Sequence, residues 1–213
     1  MSQKELIARD GWAIIGFFAV ITIIIYLMDF IILSWVFLVL TAFCIYFFRN
    51  PNRAELEEEG IVVAPADGRV KSITKVHEER FIKGEAIRIS IFLSLFNVHI
   101  NRVPITGTVR YTEKQGMNFR PAYRLNARDT NVSNYIGLET AHGKVLVVQI
   151  TGIVARRIVS WVNEGDLVYT GKHLGLIRFG SCTEIYLPVD AEILVEVGQS
   201  IRGGETIIAR FND

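Results

Sequence analysis

Two stretches near the carboxyl end, VNEGDLVYTGKHLGLI (162–177) and VEVGQSIRGGETIIA (195–209), repeat one pattern. Gly165 aligns with Gly198, Val168 with Ile201, Gly171 with Gly204 and Leu174 with Ile207. Two glycines six apart, with an apolar residue midway, suit a strand–turn–strand unit in which glycine takes a positive φ. The unit therefore predicts β-structure built twice from one pattern.

The surrounding sequence agrees. From residue 61 onward, short β-type runs alternate with glycine and polar turns: GIVVAPADGRVKSI, EAIRISIFLSLFNVHI, GTVRYTE, GKVLVVQITG, EIYLPV and ETIIARF. In residues 87–95, Ile87, Ile89, Ile91, Leu93 and Leu95 share one face of a strand, with Arg88, Ser90 and Ser94 on the other. Helical periodicity is weak throughout. The expected soluble domain, 61–213, is mainly β, a sandwich or partly open barrel containing the strand–turn–strand repeat. The repeat resembles those of biotinyl- and lipoyl-carrier sandwiches, a likeness of fold and not of chemistry.

The amino-terminal quarter reads differently. Positions 11–48 form an almost unbroken apolar run, with Asp29 its only charge. One span needs about 20 residues, so the run predicts two short helices, 12–28 and 31–48, joined at Met28-Asp29-Phe30. They form a hairpin that crosses the membrane or dips into it. Lys4 and Arg9 precede the run and Arg49 and Arg53 follow it, which places both ends in the cytoplasm. A cleaved signal peptide fits poorly, because the run continues well past an h-region. Residues 1–48 are thus a tail and hairpin, and the polar RNPNRAELEEEG that follows makes 49–60 a linker.

Composition narrows the function. Half the 213 residues are hydrophobic and the net charge is +1, with no long basic run, which argues against a nucleic-acid partner. The four histidines, at 77, 99, 142 and 173, are scattered without metal-ligand spacing, so no metal is expected. Three polar residues stand out against apolar or turn-forming neighbours. Asp67 lies in APADG, where an aspartate ordinarily shapes a turn. His99 lies in SLFNVHINR, and continued alternation puts it on the inward face of Leu93; a buried imidazole is an effective base. Ser181 follows Gly180 in RFGSC, where a Gly-Ser pair ordinarily marks a turn and nothing more. Cys182 is a weaker nucleophile candidate, with nothing basic beside it in sequence. A serine, a histidine and an aspartate can form a nucleophilic set; G-x-S-x-G is absent.

Taken in order, FFRNPNR, VVAPADGRV, FLSLFNVHINRVPITGTV and GLIRFGSCTEIYLP resemble the phosphatidylserine decarboxylase family in its short, membrane-anchored form. The resemblance implies a proenzyme that cuts itself between Gly180 and Ser181, giving the chains 1–180 and 181–213. Ser181 would become a pyruvoyl group, with His99 as base and Asp67 orienting it or stabilising its cationic form. It implies a Schiff base to phosphatidylserine, loss of carbon dioxide and release of phosphatidylethanolamine. The implied partners are the lipid substrate, the bilayer and the two fragments held as a heterodimer, with a homo-oligomer left open. The implied place is the inner membrane, cytoplasmic side. Arg102 stands where longer members have a second histidine. Arg120, Arg124 and Arg128 lie in a basic loop that can meet a phosphate. An isoprenoid ether lipid with a serine head (archaetidylserine) suits the same residues. The competing reading is a non-enzymatic, membrane-tethered adaptor of the biotinyl or lipoyl kind; RFGSC offers no lysine for such a group.

Overall fold

A computed structural model describes residues 5–54, 56, 58–116, 131–152, 157–178 and 181–211. The chain separates into two compact units, 1–52 and 53–213, divided inside the polar segment after the apolar run.

In the first unit, α1 (Trp12–Leu27) and α2 (Ile31–Phe47) form the expected hairpin within a residue of its predicted limits. Asp29 makes the turn at φ +60°. Residues 9–27, α1 with the turn before it, are long and apolar enough to cross a membrane; α2 is apolar but shorter than that 19-residue stretch. At 1.5 Å per residue the helices are about 24 and 26 Å long, against a hydrocarbon core of about 30 Å. Apolar side chains such as Phe17, Ile24, Ile32, Trp35 and Val39 are exposed on them. The chain before α1 closes the hairpin's base: Ala8 N–H donates to Phe48 O (2.8 Å) and Asn50 N–H to Leu6 O (2.7 Å).

The second unit is mainly β. Its strands are β1 (Ile61–Val63), β2 (Gly68–Glu78), β3 (Gly84–Leu93), β4 (Ile100–Arg102), β5 (Gly107–Gln115), β6 (Ser133–Thr140), β7 (Gly143–Thr151), β8 (Ile158–Ser160), β9 (Leu167–Val168), β10 (His173–Ile177), β11 (Ser181–Pro188), β12 (Glu192–Ile193), β13 (Ser200–Ile201) and β14 (Ile207–Arg210). Eight form one antiparallel sheet in the order β13-β2-β3-β11-β7-β6-β5-β9, flanked by the small sheets β1-β14-β12 and β4-β10-β8. Val62, Ile89, Ile91, Leu93, Val103, Val109, Ile136, Val147, Leu174, Ile185 and Ile208 fill one continuous core between them. Phe81, Tyr135, Leu146, Val148, Cys182 and Tyr186 cluster separately. Alternate residues of β11 thus serve two cores, which is why every residue from Ser181 to Leu187 is buried.

The sequence repeat appears as matched backbone geometry. Gly165 and Gly198 have φ of +93° and +92°, and Gly171 and Gly204 have +76° and +79°. Each pair also bonds equivalently. Gly165 N–H donates to Val109 O and Gly198 N–H to Val70 O, both at 2.8 Å; Gly171 N–H donates to Val103 O and Gly204 N–H to Ala64 O. These acceptors belong to a second repeat, VAPADGRV (63–70) and RVPITGTV (102–109). It closes reciprocally, with Val63 N–H donating to Pro104 O (2.8 Å) and Arg102 N–H to Pro65 O (2.9 Å).

The domain therefore consists of two similar halves. One half is β4 to β10, continuous in sequence. The other is β1, β2 and β3 together with β11 to β14, interrupted by the first. In the continuous half, β6 and β7 are joined by Ala141 and His142 alone. In the interrupted half the corresponding pair, β3 and β11, is open, and the whole continuous half is inserted between Leu93 and Ser181. Two crossovers result, 94–99 and 178–180. They contain His99 and Gly180.

Gly107 begins β5 where a Cβ would lie 2.6 Å from Glu139 O, whereas a Cβ on Gly84 meets nothing. Gly107→Ala is expected to cost about 2 kcal/mol by overpacking and to lower the thermal midpoint by several degrees. Gly84→Ala should leave the midpoint within about 1 °C, since it adds no contact.

Candidate active site

Ser181 is the first residue of β11, opposite Leu93 of β3 and Thr151 of β7. It is fully buried, and its Oγ has no hydrogen-bond partner among the described residues. Burying a hydroxyl unsatisfied costs about 1–3 kcal/mol. Such a group is common where reactivity matters more than stability. Gly180, its neighbour across the candidate scissile bond, lies outside the described residues.

His99 closes the other crossover, directly before β4. β3 ends at Leu93, so the alternation does not carry through to His99 as expected. A tight turn intervenes: Asn97 N–H donates to Ser94 O (3.0 Å), and Asn97 Oδ1 accepts from Ser94 N–H (2.8 Å) and Ser94 Oγ–H (2.7 Å). The turn leaves Leu95 and Phe96 exposed and His99 wholly buried. His99 Nδ1 lies 2.9 Å from Asn97 O. A carbonyl oxygen only accepts, so Nδ1 carries a proton. Beside it, Ile177 N–H, at the end of β10, donates to His99 O at 3.2 Å.

Asp67 stands in the turn from β1 to β2. Arg53 Nη2 donates to both its oxygens, at 3.1 and 2.8 Å, and Gly203 N–H donates to Oδ1 at 2.8 Å. Arg53 Nη1 also binds Glu205 (2.9 Å). The related half has Thr106 in the equivalent position, accepting from Thr170 N–H at 3.1 Å. Tying the facing turn is thus common to both halves, and the Arg53 ion pair is added only at Asp67. The next residue, Gly68, packs against Phe92 O, one position before the partner of Ser181. Asp67 accordingly lies by the open end of β3, while the ring of His99 takes its orientation from a backbone carbonyl.

Further polar groups brace β11. Asn134 Nδ2 donates to Gln149 Oε1 (2.8 Å), Gln149 Nε2 to Asn101 Oδ1 (2.7 Å), and Asn101 Nδ2 to Thr183 Oγ1 (3.0 Å) and Pro65 O (3.3 Å). All four side chains are buried. Thr183 shares a strand face with Ser181, so this chain of amides fixes the strand just beyond the serine. Arg102 is buried and donates to Gly171 O at 2.9 Å. Burial first, then the charge of Arg53, draws its pKa down to about 10.

Sequence reasoning missed these supports: Arg53 looked like a linker charge, and Asn97, Asn101 and Gln149 carry no motif of their own. The faint signal for Arg53 was its place in FFRNPNR. Arg120, Arg124 and Arg128 lie outside the described residues.

A model of the family described as phosphatidylserine decarboxylase matches residues 40–209. The chain belongs to the phosphatidylserine decarboxylase family. It is 45% identical over 212 residues to a phosphatidylserine decarboxylase proenzyme of Carboxydothermus hydrogenoformans, covering 99% of each chain. It is 43% identical over 210 residues to one of Symbiobacterium thermophilum, covering 98% of this chain and 97% of the relative. A third, from Desulfotalea psychrophila, is 41% identical over 213 residues, with 99% and 100% covered. Family membership and the β architecture therefore agree with what the motifs implied.

Within this family member Cys182 is no rival to Ser181. Its thiol is buried against Ser90 Oγ at 3.2 Å, and burial, then the charge of Glu184, push it up to about 12. Burial thus favours the protonated, un-nucleophilic thiol. In the folded chain Cys182 should resist iodoacetamide at pH 8 and become alkylated on denaturation, as read by peptide mass. Alkylation of the native chain at this residue would contradict the burial.

Proposed function

We propose that this chain is a self-cleaving phosphatidylserine decarboxylase. The observation that carries the reading is the buried hydroxyl of Ser181 at the head of β11, which has no hydrogen-bond partner among the described residues. An orphaned hydroxyl at the head of β11 suits a prosthetic group made from that serine itself.

Cleavage begins when Ser181 Oγ attacks the carbonyl carbon of Gly180. The C–O bond forms as the C–N bond breaks, and the hydroxyl proton passes to the freed amine of residue 181. Nε2 of His99 carries that proton, and the charge of Asp67, held by Arg53, stabilises the imidazolium. Loss of the Cα proton of residue 181 then expels the Gly180 carboxylate by breaking the Cβ–Oγ bond. One water replaces the nitrogen, ammonia leaves, and a pyruvoyl group remains at the head of β11. Glycine at 180 presents no Cβ to the incoming oxygen.

The pyruvoyl group supplies a carbonyl sink for the electrons left when the serine head group loses carbon dioxide. The protein's own share is positional. β3 and β7 hold β11 by ladders on both edges, so the fragment 181–213 remains bound after the cut as one chain of a heterodimer. The Asn134–Gln149–Asn101–Thr183 chain keeps the new terminus from slipping. His99, itself buried, moves the proton that replaces the lost carboxyl. The apolar hairpin holds the enzyme at the cytoplasmic side of the inner membrane, where phosphatidylserine is concentrated and phosphatidylethanolamine returns to the bilayer.

Intact-mass analysis of the full chain in detergent should find two polypeptides, 1–180 and 181–213, the smaller without a free amine. Ser181→Ala should give one uncut species, 1–213. A wild-type chain that stays whole, in a preparation whose thermal unfolding is cooperative, would sink the proposal.

A further inference from the structure

The turn that delivers His99 also exposes Leu95 (38%) and Phe96 (68%) at its tip. They sit beside an open cavity of about 520 Å³ whose lining includes Asp67, Arg69, Phe92, Ser94, Asn97 and Arg202. Two of these are outward arginines. Arg69 Nε donates to Gly198 O (2.6 Å), and Arg202 has a side chain 75% exposed, 3.9 Å from Glu205. The adjoining turn, which supplies Gly198, exposes Val197 (62%). The cavity's own carboxylate, Asp67, is already paired with Arg53. The mouth is therefore apolar at its tip and basic at its rim.

An exposed phenylalanine and leucine flanked by arginines fit an interface whose outer layer is anionic and whose interior is hydrocarbon. We propose that the Ser94–Asn97 turn inserts Leu95 and Phe96 into the surface of an anionic phospholipid bilayer, with Arg69 and Arg202 meeting head-group phosphates. The catalytic domain then has a membrane contact of its own, separate from the helical hairpin, and the cavity beside Asp67 opens onto lipid. A bilayer suits this mouth better than a protein partner. The chain already carries a helix long enough to cross a membrane, and the mouth adjoins the residues assigned to a lipid substrate. The proposal rests on the decarboxylase reading for that substrate, while the contact itself needs only an anionic surface.

The test uses the full chain in vesicles of equal parts phosphatidylcholine and phosphatidylglycerol. An environment-sensitive fluorophore is placed on Phe96→Cys in a Cys44→Ala background, and separately on Glu79→Cys, beyond the far end of β2. The hairpin anchors both versions equally. The label at 96 should shift to the blue and be quenched several-fold more by acyl-chain nitroxide lipid than the label at 79. Equal quenching overturns the proposal. So does a blue shift without lipid quenching, which would mean that protein covers the tip. Neither readout depends on turnover, so it stands apart from any failure of the decarboxylase reading. In turnover, Phe96→Ser should raise KM about tenfold for phosphatidylserine in vesicles and leave a water-soluble short-chain phosphatidylserine unaffected. Equal losses on both substrates would mean the turn acts inside the site, against the proposal.

Discussion

A strand held by hydrogen bonds on both edges needs no covalent tie at its end, and the rest of this molecule depends on that. β11 lies between β3 and β7, paired from Ser181 to Pro188 on one side and from Ser181 to Tyr186 on the other. Its side chains enter two separate cores, and its polar Thr183 is bound by Asn101. A break just before Ser181 therefore removes a connection and leaves the strand in place. Few positions in a β domain meet that condition, because most chain breaks free an edge strand or a hairpin.

The domain reaches the condition through its two-half construction. In the continuous half, β6 turns directly into β7. In the interrupted half, β3 cannot turn into β11, because the sister half occupies the gap. The chain leaves and re-enters the interrupted half through two crossovers, with the buried Ser181 following one and the buried His99 ending the other. Departures from the halves' likeness mark the same region. Thr106 merely ties a turn, whereas its counterpart Asp67 also carries the Arg53 ion pair. Val63 corresponds to the buried Arg102. The two halves agree where they build the fold and differ in the charges carried at these turns.

How much of this could be read from the sequence follows from the range of each interaction. The glycine repeat at the carboxyl end was legible because glycines at positive φ are required at fixed spacing, and the hairpin because a long apolar run around one aspartate has few other outcomes. The second repeat was not, since VAPADGRV and RVPITGTV share only a proline, a glycine and one valine in register. The insertion of one half into the other was invisible, because the pairing of Leu93 with Ser181 bridges most of the domain. Alternation suggested a buried His99 but extended the strand too far, because the Asn97 side-chain bonds that end it are local and have no periodicity. Asp67 could be marked as polar in a turn, yet its partner Arg53 sits in a segment whose composition reads as solvated linker.

Central to the account is the claim that the side chain of Ser181, and not water, breaks the bond before it. Adding hydroxylamine to freshly synthesised chain tests this most directly, because hydroxylamine cleaves esters far faster than amides. An ester linking Gly180 to Ser181 Oγ should be captured as a chain 1–180 ending in a hydroxamate, with a smaller fragment that begins with an intact serine and a free amine. A larger chain ending only in carboxylate, paired with a smaller fragment that begins with an intact serine, at every hydroxylamine concentration and from the earliest times, would show direct hydrolysis and contradict the account.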